Sequence, residues 1–229
     1  MNNSKIMNVP NMLSLLRVLL VPVFIAALIG MREVGVAGVI VPAIIYALTA
    51  ATDALDGKIA RKYGLVTDFG KFIDPLADKF MVLGSMIAIL TKAALAVNEM
   101  HEDYLFTNGY NDYLVREKTF AIIFASLFLV VLFRELAVTS MRLVVAGKRV
   151  KVDLAANLMG KLKTVSQMVG TVVIIVEPAI PFFCENHILS YVCMAVMAVT
   201  TVVSGINYFR GYLPHMIADE APAAPDKAE

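Results

Sequence analysis

Long apolar segments alternate with short polar ones along most of this 229-residue chain. The clearest apolar segment covers residues 188–209, which are 22 residues without a charge and enough for a helix across a bilayer. Residues 36–52 and 119–133 are also free of charged side chains. Three further apolar segments include a few charged residues: 10–30, 72–98 and 154–176. This pattern predicts six membrane-spanning helices.

The composition supports this prediction. Hydrophobic residues make up 59% of the chain and the mean hydropathy is +0.74, whereas soluble domains are about half apolar. We therefore predict an all-α integral membrane protein with six transmembrane helices. One domain is expected over residues 1–213, starting with a short surface segment at 1–9, for which a cleaved signal peptide is the alternative. Residues 214–229 are expected to form a disordered cytoplasmic tail.

Two pairs of aspartates lie between the second and third predicted helices, Asp53 with Asp56 and Asp74 with Asp78. Spacings of three and four residues place both carboxylates of a pair on one helix face. Four carboxylates in a low-dielectric space repel one another unless they face water or a cation lies among them. Their hard oxygen atoms suit Mg²⁺, Mn²⁺ or Ca²⁺. We predict a site for two divalent cations.

Small residues accompany the first pair of aspartates. Gly57 and Ala60 share a helix face with Asp53, so little side-chain bulk stands beside its carboxylate. Tight packing between helices is the alternative explanation for such residues. The neighbouring carboxylates favour the approach of a ligand.

A short loop at residues 64–70 is expected to separate the two pairs. Asp68 in this loop is a candidate helix cap and is not counted in the site. Pro75 suits the first turn of a helix. The third helix is therefore expected to begin near Asp74.

Three polar residues lie near the start of the first helix, at Asn11, Ser14 and Arg17. Their spacing places them on one side of a helix, where they could face a polar pocket. Alternatively, Arg17 extends its charged end to the membrane surface. The sequence leaves both interpretations open.

Cations cluster in the fourth and fifth helices. Arg134 and Arg142 interrupt apolar sequence, and charges within a membrane are costly and mark functional candidates. Lys161 and Lys163 follow at the start of the fifth helix. Glu135 is placed to neutralise one of the neighbouring cations.

The distribution of lysine and arginine predicts the orientation. If the aspartates lie on the cytoplasmic side, 16 of the 20 Lys and Arg residues fall on that side. The other four are Arg32, Lys92, Arg116 and Lys118. This asymmetry is typical of membrane proteins. It predicts a polar active-site cavity on the cytoplasmic side of the inner membrane, with both termini facing the cytoplasm.

Paired carboxylates and clustered cations on one side of a membrane indicate phosphoryl chemistry. A two-metal site can hold a diphosphate and stabilise charge on a leaving phosphate, while the cations hold a second anionic group. At the membrane, the diphosphate is expected to be attached to a lipid. The residues alone therefore predict a membrane transferase that acts on a lipid diphosphate, with no nucleic-acid partner.

The segments DALDGKIAR at 53–61 and GKFIDPLAD at 70–78 resemble the signature of the CDP-alcohol phosphatidyltransferase family. That signature is D-x-x-D-G-x-x-A-R followed by G-x-x-x-D-x-x-x-D, and every fixed position matches. The resemblance covers roughly residues 8–212. It implies that CDP-diacylglycerol is the lipid substrate and that Mg²⁺ or Mn²⁺ is the cofactor. It also implies that the protein is a homodimer.

Three other segments resemble the members of this family that use sn-glycerol 3-phosphate. They are PNMLSLLR at 10–17, FIDPLADK at 72–79 and GKLKTVSQM at 160–168. The implied reaction transfers a phosphatidyl group to this acceptor, giving phosphatidylglycerophosphate and CMP. Inositol phosphate, inositol and serine are the alternative acceptors.

The resemblance also implies roles for individual residues. Asp78 would be the general base, taking the proton of the acceptor hydroxyl as this oxygen bonds to the β-phosphorus. The metal ligands would be Asp53, Asp56, Asp74 and Asp78. The residues that bind CDP-diacylglycerol would be Asn11, Asp53, Asp56, Gly57, Ala60, Arg61 and Gly70. The clustered cations themselves, rather than the resemblance, predict where the acceptor phosphate binds, in a pocket separate from the metals. The residues predicted for it are Arg134, Arg142, Lys161 and Lys163.

Two other classes of protein are remote alternatives. Membrane prenyltransferases also combine aspartate-rich motifs with Mg²⁺ and a lipid diphosphate, but their usual motifs differ from the one found here. An ion or phosphate transporter could use intramembrane aspartates, although transporters often contain internal repeats and broken helices at the midplane. In this chain no repeat is evident and the aspartates fall at predicted helix ends.

Overall fold

The computed structural model describes residues 8–63, 67–103, 110–147, 158–180 and 186–217, with only the backbone at residues 53–62, 99–103, 110, 111, 146 and 158. These residues form six α-helices and no strand. The helices are α1 Val9–Gly30, α2 Ala37–Tyr63, α3 Asp68–Asp103, α4 Tyr110–Gly147, α5 Leu158–Val176 and α6 Ile188–Ile217. A 3₁₀ turn, Glu177–Ala179, follows α5.

Five of these helices are long and apolar enough to cross a membrane, and only α2 has a shorter apolar part, Ala37–Thr52. Large apolar side chains cover the outer faces of the bundle, among them Leu19, Ile122 and Val199. Such a surface suits contact with lipid, and helices satisfy their own backbone hydrogen bonds there. The predicted all-α membrane class is confirmed, and the chain is a multi-pass membrane protein.

The third helix begins earlier than predicted. α3 starts at Asp68, and the Oγ1 atom of Thr67 accepts a hydrogen bond from the backbone N–H of Gly70 at 3.0 Å. Thr67 rather than Asp68 therefore caps this helix. The predicted start near Asp74 is wrong, because the helix accommodates Pro75 in its interior.

Two other helices also extend beyond their predicted bounds. α4 begins at Tyr110, although the apolar segment predicted for it starts at residue 119, and α6 continues through Pro214 to Ile217. Polar residues here extend helices beyond their apolar parts. The predicted tail at 214–229 therefore starts no earlier than residue 218, and residues 1–7 and 218–229 lie outside the described ranges.

Small residues allow two pairs of helices to pack closely. A Cβ atom added to Gly84 of α3 would lie 2.9 Å from Cγ1 of Val21 in α1. A Cβ atom on Gly170 of α5 would lie 2.6 Å from Sδ of Met197 in α6. Close approach at small residues is common between helices in membranes. The polar residues of α1 and α3, and those of α5 and α6, are thereby held within hydrogen-bond distance.

Candidate active site

Two polar side chains of α1 bind the two aspartates of α3. Ser14 Oγ donates to Asp74 Oδ1 at 2.5 Å, and Arg17 Nη1 donates to Asp78 Oδ1 at 2.6 Å. Ser14 and Arg17 lie about one turn apart on α1, as Asp74 and Asp78 do on α3. Successive turns of the two helices are therefore joined by hydrogen bonds. The side chain of Arg17 is 0% exposed, whereas that of Asp78 is 49% exposed. Arg17 therefore faces the aspartates, and the alternative that it reaches the membrane surface is wrong.

A third link between α1 and α3 lies at the start of α3. Asn11 is buried and its Nδ2 atom donates to Thr67 Oγ1 at 2.9 Å. A Cβ atom on Gly70 would lie 2.7 Å from Asn11 Oδ1. Gly70 is therefore required for this close approach, which is a packing reason for a residue that sequence analysis assigned to substrate binding.

The first pair of aspartates belongs to the last turns of α2, which is helical as far as Tyr63. A continuous helix keeps residues three apart on one side. The side chains of this segment lie outside the described part of the structure, and their roles remain predictions. The residues concerned are Asp53, Asp56, Gly57, Ala60 and Arg61.

The donor set of α3 fits a hard divalent cation. Asp74 and Asp78 stand one turn apart, are both accessible, and offer carboxylate oxygens of the kind that Mg²⁺ and Mn²⁺ prefer. Among the described side chains, no group of three or more His, Cys, Asp and Glu residues could hold a metal ion. The α2 aspartates, whose side chains lie outside the described part of the structure, remain the predicted additional ligands.

A buried ion-pair network joins α4, α5 and α6. Glu135 Oε1 accepts hydrogen bonds from Arg134 Nη1, at 2.9 Å, and from Lys163 Nζ. Arg134 Nη2 also donates to Ser204 Oγ at 2.8 Å, and its guanidinium carbon lies 5.2 Å from the centre of the Tyr208 ring. Pairing offsets the cost of burying charges. One carboxylate between two cations leaves one positive charge, which favours an anionic ligand.

A cavity of about 200 Å³ connects Asp78 with this network. Asp78 lines it from α3, Arg134 and Glu135 from α4, Lys163 from α5 and Tyr208 from α6. A carboxylate of α3 and two cations, from α4 and α5, thus share one small space. A molecule held there by its anionic end can present a hydroxyl group to the Asp78 carboxylate.

The four predicted acceptor-binding cations separate into two groups. Arg134 and Lys163 line the cavity, whereas Arg142 and Lys161 are exposed and are not among its lining residues. Lys161 and Lys163 are two residues apart, which turns their side chains about 200° from each other on a helix. Of these two lysines, only Lys163 faces the interior of the bundle.

Lys79 and Gln167 are among the cavity residues to which the sequence assigned no role. Lys79 lines it and donates a hydrogen bond to Thr139 Oγ1 of α4. Gln167 lines it from a fully buried position on α5. The spacing of Gly160, Lys163 and Gln167, at intervals of three and four, was the available signal, because it places all three on one helix face.

Comparisons with known proteins agree with this chemistry. The model of the CDP-alcohol phosphatidyltransferase family matches residues 7–203. The chain is 34% identical over 211 residues to CDP-diacylglycerol–glycerol-3-phosphate 3-phosphatidyltransferase of Bacillus subtilis, covering 88% of this chain and 93% of that protein. It is 31% identical over 205 residues to a probable phosphatidylglycerophosphate synthase of Mycobacterium tuberculosis, covering 90% of this chain and 81% of the relative. A CDP-diacylglycerol–glycerol-3-phosphate 3-phosphatidyltransferase of Rickettsia felis is 30% identical over 207 residues, covering 89% and 94% of the two chains.

Proposed function

The chain belongs to the CDP-alcohol phosphatidyltransferase family, and we propose that it transfers the phosphatidyl group of CDP-diacylglycerol to sn-glycerol 3-phosphate. The products are phosphatidylglycerophosphate and CMP, which makes the chain a transferase of phospholipid biosynthesis. Membership of this family disfavours the prenyltransferase and transporter alternatives. The observation that supports an anionic acceptor is the shared cavity of Asp78, Arg134 and Lys163.

CDP-diacylglycerol is proposed to bind where α1, α2 and α3 come together. Its acyl chains remain in the bilayer against apolar helix faces, while its diphosphate lies beside the aspartates and its nucleotide near the small residues of α2. Gly70 supports this site through the contact between α1 and α3. The residues assigned to the donor are Asn11, Asp53, Asp56, Gly57, Ala60, Arg61 and Gly70.

Two divalent cations, Mg²⁺ or Mn²⁺, are proposed to bind Asp53, Asp56, Asp74 and Asp78. When bound, they neutralise the diphosphate and stabilise negative charge on the departing CMP. Ser14 and Arg17 hold the two α3 carboxylates in place through their hydrogen bonds. Residues that orient ligands in this way are important for metal affinity.

Asp78 is proposed to act as the general base. The primary hydroxyl oxygen of the acceptor attacks the β-phosphorus of CDP-diacylglycerol, and its proton passes to Asp78 as the new bond forms. The bond between the β-phosphorus and the bridging oxygen breaks, so that CMP leaves with the bonding electrons. Arg17 keeps the Asp78 carboxylate oriented during this step.

Arg134 and Lys163 are proposed to bind the acceptor phosphate. Arg134 is partly buried and Lys163 is buried, and Glu135 already holds both in position, so little reorganisation is needed when an anion arrives. Arg142 and Lys161 are exposed and lie outside the cavity. Their charge attracts anionic substrates to this side of the membrane rather than holding them in the cavity.

The orientation and assembly are also proposals. The excess of Lys and Arg around the aspartates supports an active site and termini that face the cytoplasm from the inner membrane. A membrane domain that extends at least to the end of α6 at Ile217 is proposed from the helical bundle, and a homodimer is proposed from the family resemblance.

The acceptor is tested by measuring CMP release from CDP-diacylglycerol in the presence of Mg²⁺ or Mn²⁺. The purified protein is given sn-glycerol 3-phosphate, inositol phosphate, inositol or serine, and Asp78→Asn is the inactive control. Turnover with sn-glycerol 3-phosphate is expected. Turnover with inositol phosphate alone would overturn the acceptor, and no turnover with any acceptor would overturn the proposed reaction.

A further inference from the structure

A buried amide lines the active-site cavity without a role in the steps above. Gln167 is 0% exposed, and its Nε2 atom donates to Thr201 Oγ1 at 3.4 Å. Its Oε1 atom is also buried and has no hydrogen-bond partner among the described residues. Buried polar atoms are nearly always paired, so an unpaired oxygen on a residue that lines a cavity is available to a ligand that donates a hydrogen bond there.

The position of Gln167 relates it to the acceptor. It lies four residues after Lys163, which places both side chains on one face of α5 and Gln167 one turn deeper in the bundle. Both residues line the same cavity as Asp78. Gln167 therefore shares one small space with the proposed phosphate-binding lysine and the proposed base.

The acceptor has a matching arrangement of polar groups. sn-Glycerol 3-phosphate carries its phosphate at one end, the attacking primary hydroxyl at the other and a secondary hydroxyl between them. When the phosphate binds Arg134 and Lys163 and the primary hydroxyl faces Asp78, the secondary hydroxyl lies within the cavity and needs a partner. The neighbouring Thr164 hydroxyl already donates to the carbonyl oxygen of Gly160 at 3.1 Å.

We propose that Gln167 Oε1 accepts a hydrogen bond from the secondary hydroxyl of the acceptor. The inference rests on the proposed function and extends it, because it makes Gln167 a specificity-determining residue for hydroxyalkyl phosphates with a hydroxyl next to the reacting carbon. The hydrogen bond also fixes the rotation of the acceptor about its carbon chain. The primary hydroxyl is thereby directed towards Asp78.

The test compares two acceptors in two enzymes. The acceptors are sn-glycerol 3-phosphate and 3-hydroxypropyl phosphate, which differ only by the secondary hydroxyl. The enzymes are the wild-type protein and Gln167→Met, which keeps the length of the side chain and removes the amide. CMP release with CDP-diacylglycerol and Mg²⁺ gives kcat/KM for each acceptor, and the ratio between acceptors is the quantity of interest.

A neighbouring residue offers a matched control. The hydroxyl groups of Ser166 and Thr200 form another hydrogen bond between α5 and α6, at 2.8 Å, and neither residue is among those lining the cavity. The Ser166 hydroxyl also donates to the backbone carbonyl oxygen of Lys163 at 2.8 Å. Ser166→Ala therefore removes a link between the same two helices but leaves every side chain that lines the cavity in place. Gln167→Leu serves as a second variant if Gln167→Met does not accumulate as folded protein.

The wild-type and Ser166→Ala proteins are expected to prefer sn-glycerol 3-phosphate by about tenfold, as one neutral hydrogen bond allows. In Gln167→Met this ratio is expected to fall to about one, through loss of activity with sn-glycerol 3-phosphate. A wild-type ratio of one, or an unchanged ratio in both Gln167 variants, would overturn the role of Gln167 and leave the reaction intact. Absence of turnover by the wild-type protein with sn-glycerol 3-phosphate would instead overturn the proposed function, and this inference with it.

Discussion

Arg17, a fully buried residue of α1, donates a hydrogen bond from Nη1 to the half-exposed carboxylate of Asp78 in α3 at 2.6 Å. The two residues are 61 positions apart in sequence. A buried cation is costly unless an anion compensates it, so the pair fixes both the packing of α1 against α3 and the direction of the Asp78 carboxylate. The proposed base is therefore positioned by a residue on another helix.

Replacing Arg17 by Gln is expected to lower kcat by about 100-fold, which is at the low end of what a well-placed general base contributes. The Asp78 carboxylate remains accessible in this variant but is no longer held towards the acceptor. Steady-state CMP release gives kcat and both KM values. Arg32→Gln is the control, because Arg32 lies just beyond the other end of α1 and pairs with the exposed Glu33. A wild-type kcat in Arg17→Gln would contradict the positioning role.

Ser14→Ala is expected to weaken metal binding. Its hydroxyl group orients Asp74, and loss of such a partner typically lowers metal affinity by about 10-fold or more. The measurement is the Mg²⁺ concentration that gives half-maximal activity, which should rise accordingly. Ser126→Ala should leave this Mg²⁺ concentration unchanged, because the Ser126 hydroxyl donates to the backbone carbonyl oxygen of Ile122 within α4. If Ser14→Ala and Ser126→Ala reached half-maximal activity at the same Mg²⁺ concentration, that result would argue against Asp74 as a metal ligand.

Gly70→Ala is expected to destabilise the protein by about 1–3 kcal/mol. The added methyl group would lie 2.7 Å from Asn11 Oδ1, so Asn11 must move away from Thr67 and α1 from the start of α3. Thermal unfolding in detergent should show a lower Tm, together with a higher KM for CDP-diacylglycerol. At Gly147 no atom of the described residues lies within 4 Å of an added Cβ atom, and Gly147→Ala should unfold as the wild type does. Identical Tm values for both variants would contradict the close contact.

Lys163→Ala and Lys161→Ala together test whether the acceptor phosphate binds inside the cavity or outside it. Loss of the buried Lys163 is expected to raise KM for sn-glycerol 3-phosphate by about tenfold or more, because charge-assisted hydrogen bonds are strong. KM for CDP-diacylglycerol should change little. Lys161 is exposed, so Lys161→Ala should have a smaller effect that decreases further as salt is added. A larger effect of Lys161→Ala would place the acceptor phosphate outside the cavity.

The sequence predicted the features that depend on local pattern. Apolar segments of helical length indicated six helices, and the spacing of Asp74 and Asp78 placed their carboxylates on one face, as the structure has them. The start of α3 was misplaced because Pro75 is equally compatible with a first turn and with a helix interior that tolerates a lost hydrogen bond.

Features that depend on contacts between distant helices could not be predicted in the same way. The sequence left Arg17 with two interpretations, because its partner Asp78 is distant along the chain. It also gave Lys161 and Lys163 equal weight, since only the packing of α5 decides which of them faces inward. Gln167 carried a usable signal in its spacing from Lys163, but its unpaired oxygen is visible only once α6 is in place.

The central claim is that Asp78 and the two cavity-lining cations, Arg134 and Lys163, hold the two ends of one acceptor molecule. A structure of the full-length Asp78→Asn protein with Mn²⁺ and sn-glycerol 3-phosphate tests it most directly. We predict the phosphate group within hydrogen-bond distance of Arg134 and Lys163, with the primary hydroxyl directed at residue 78. A phosphate group bound instead to Arg142 or Lys161, away from the cavity, would contradict the claim.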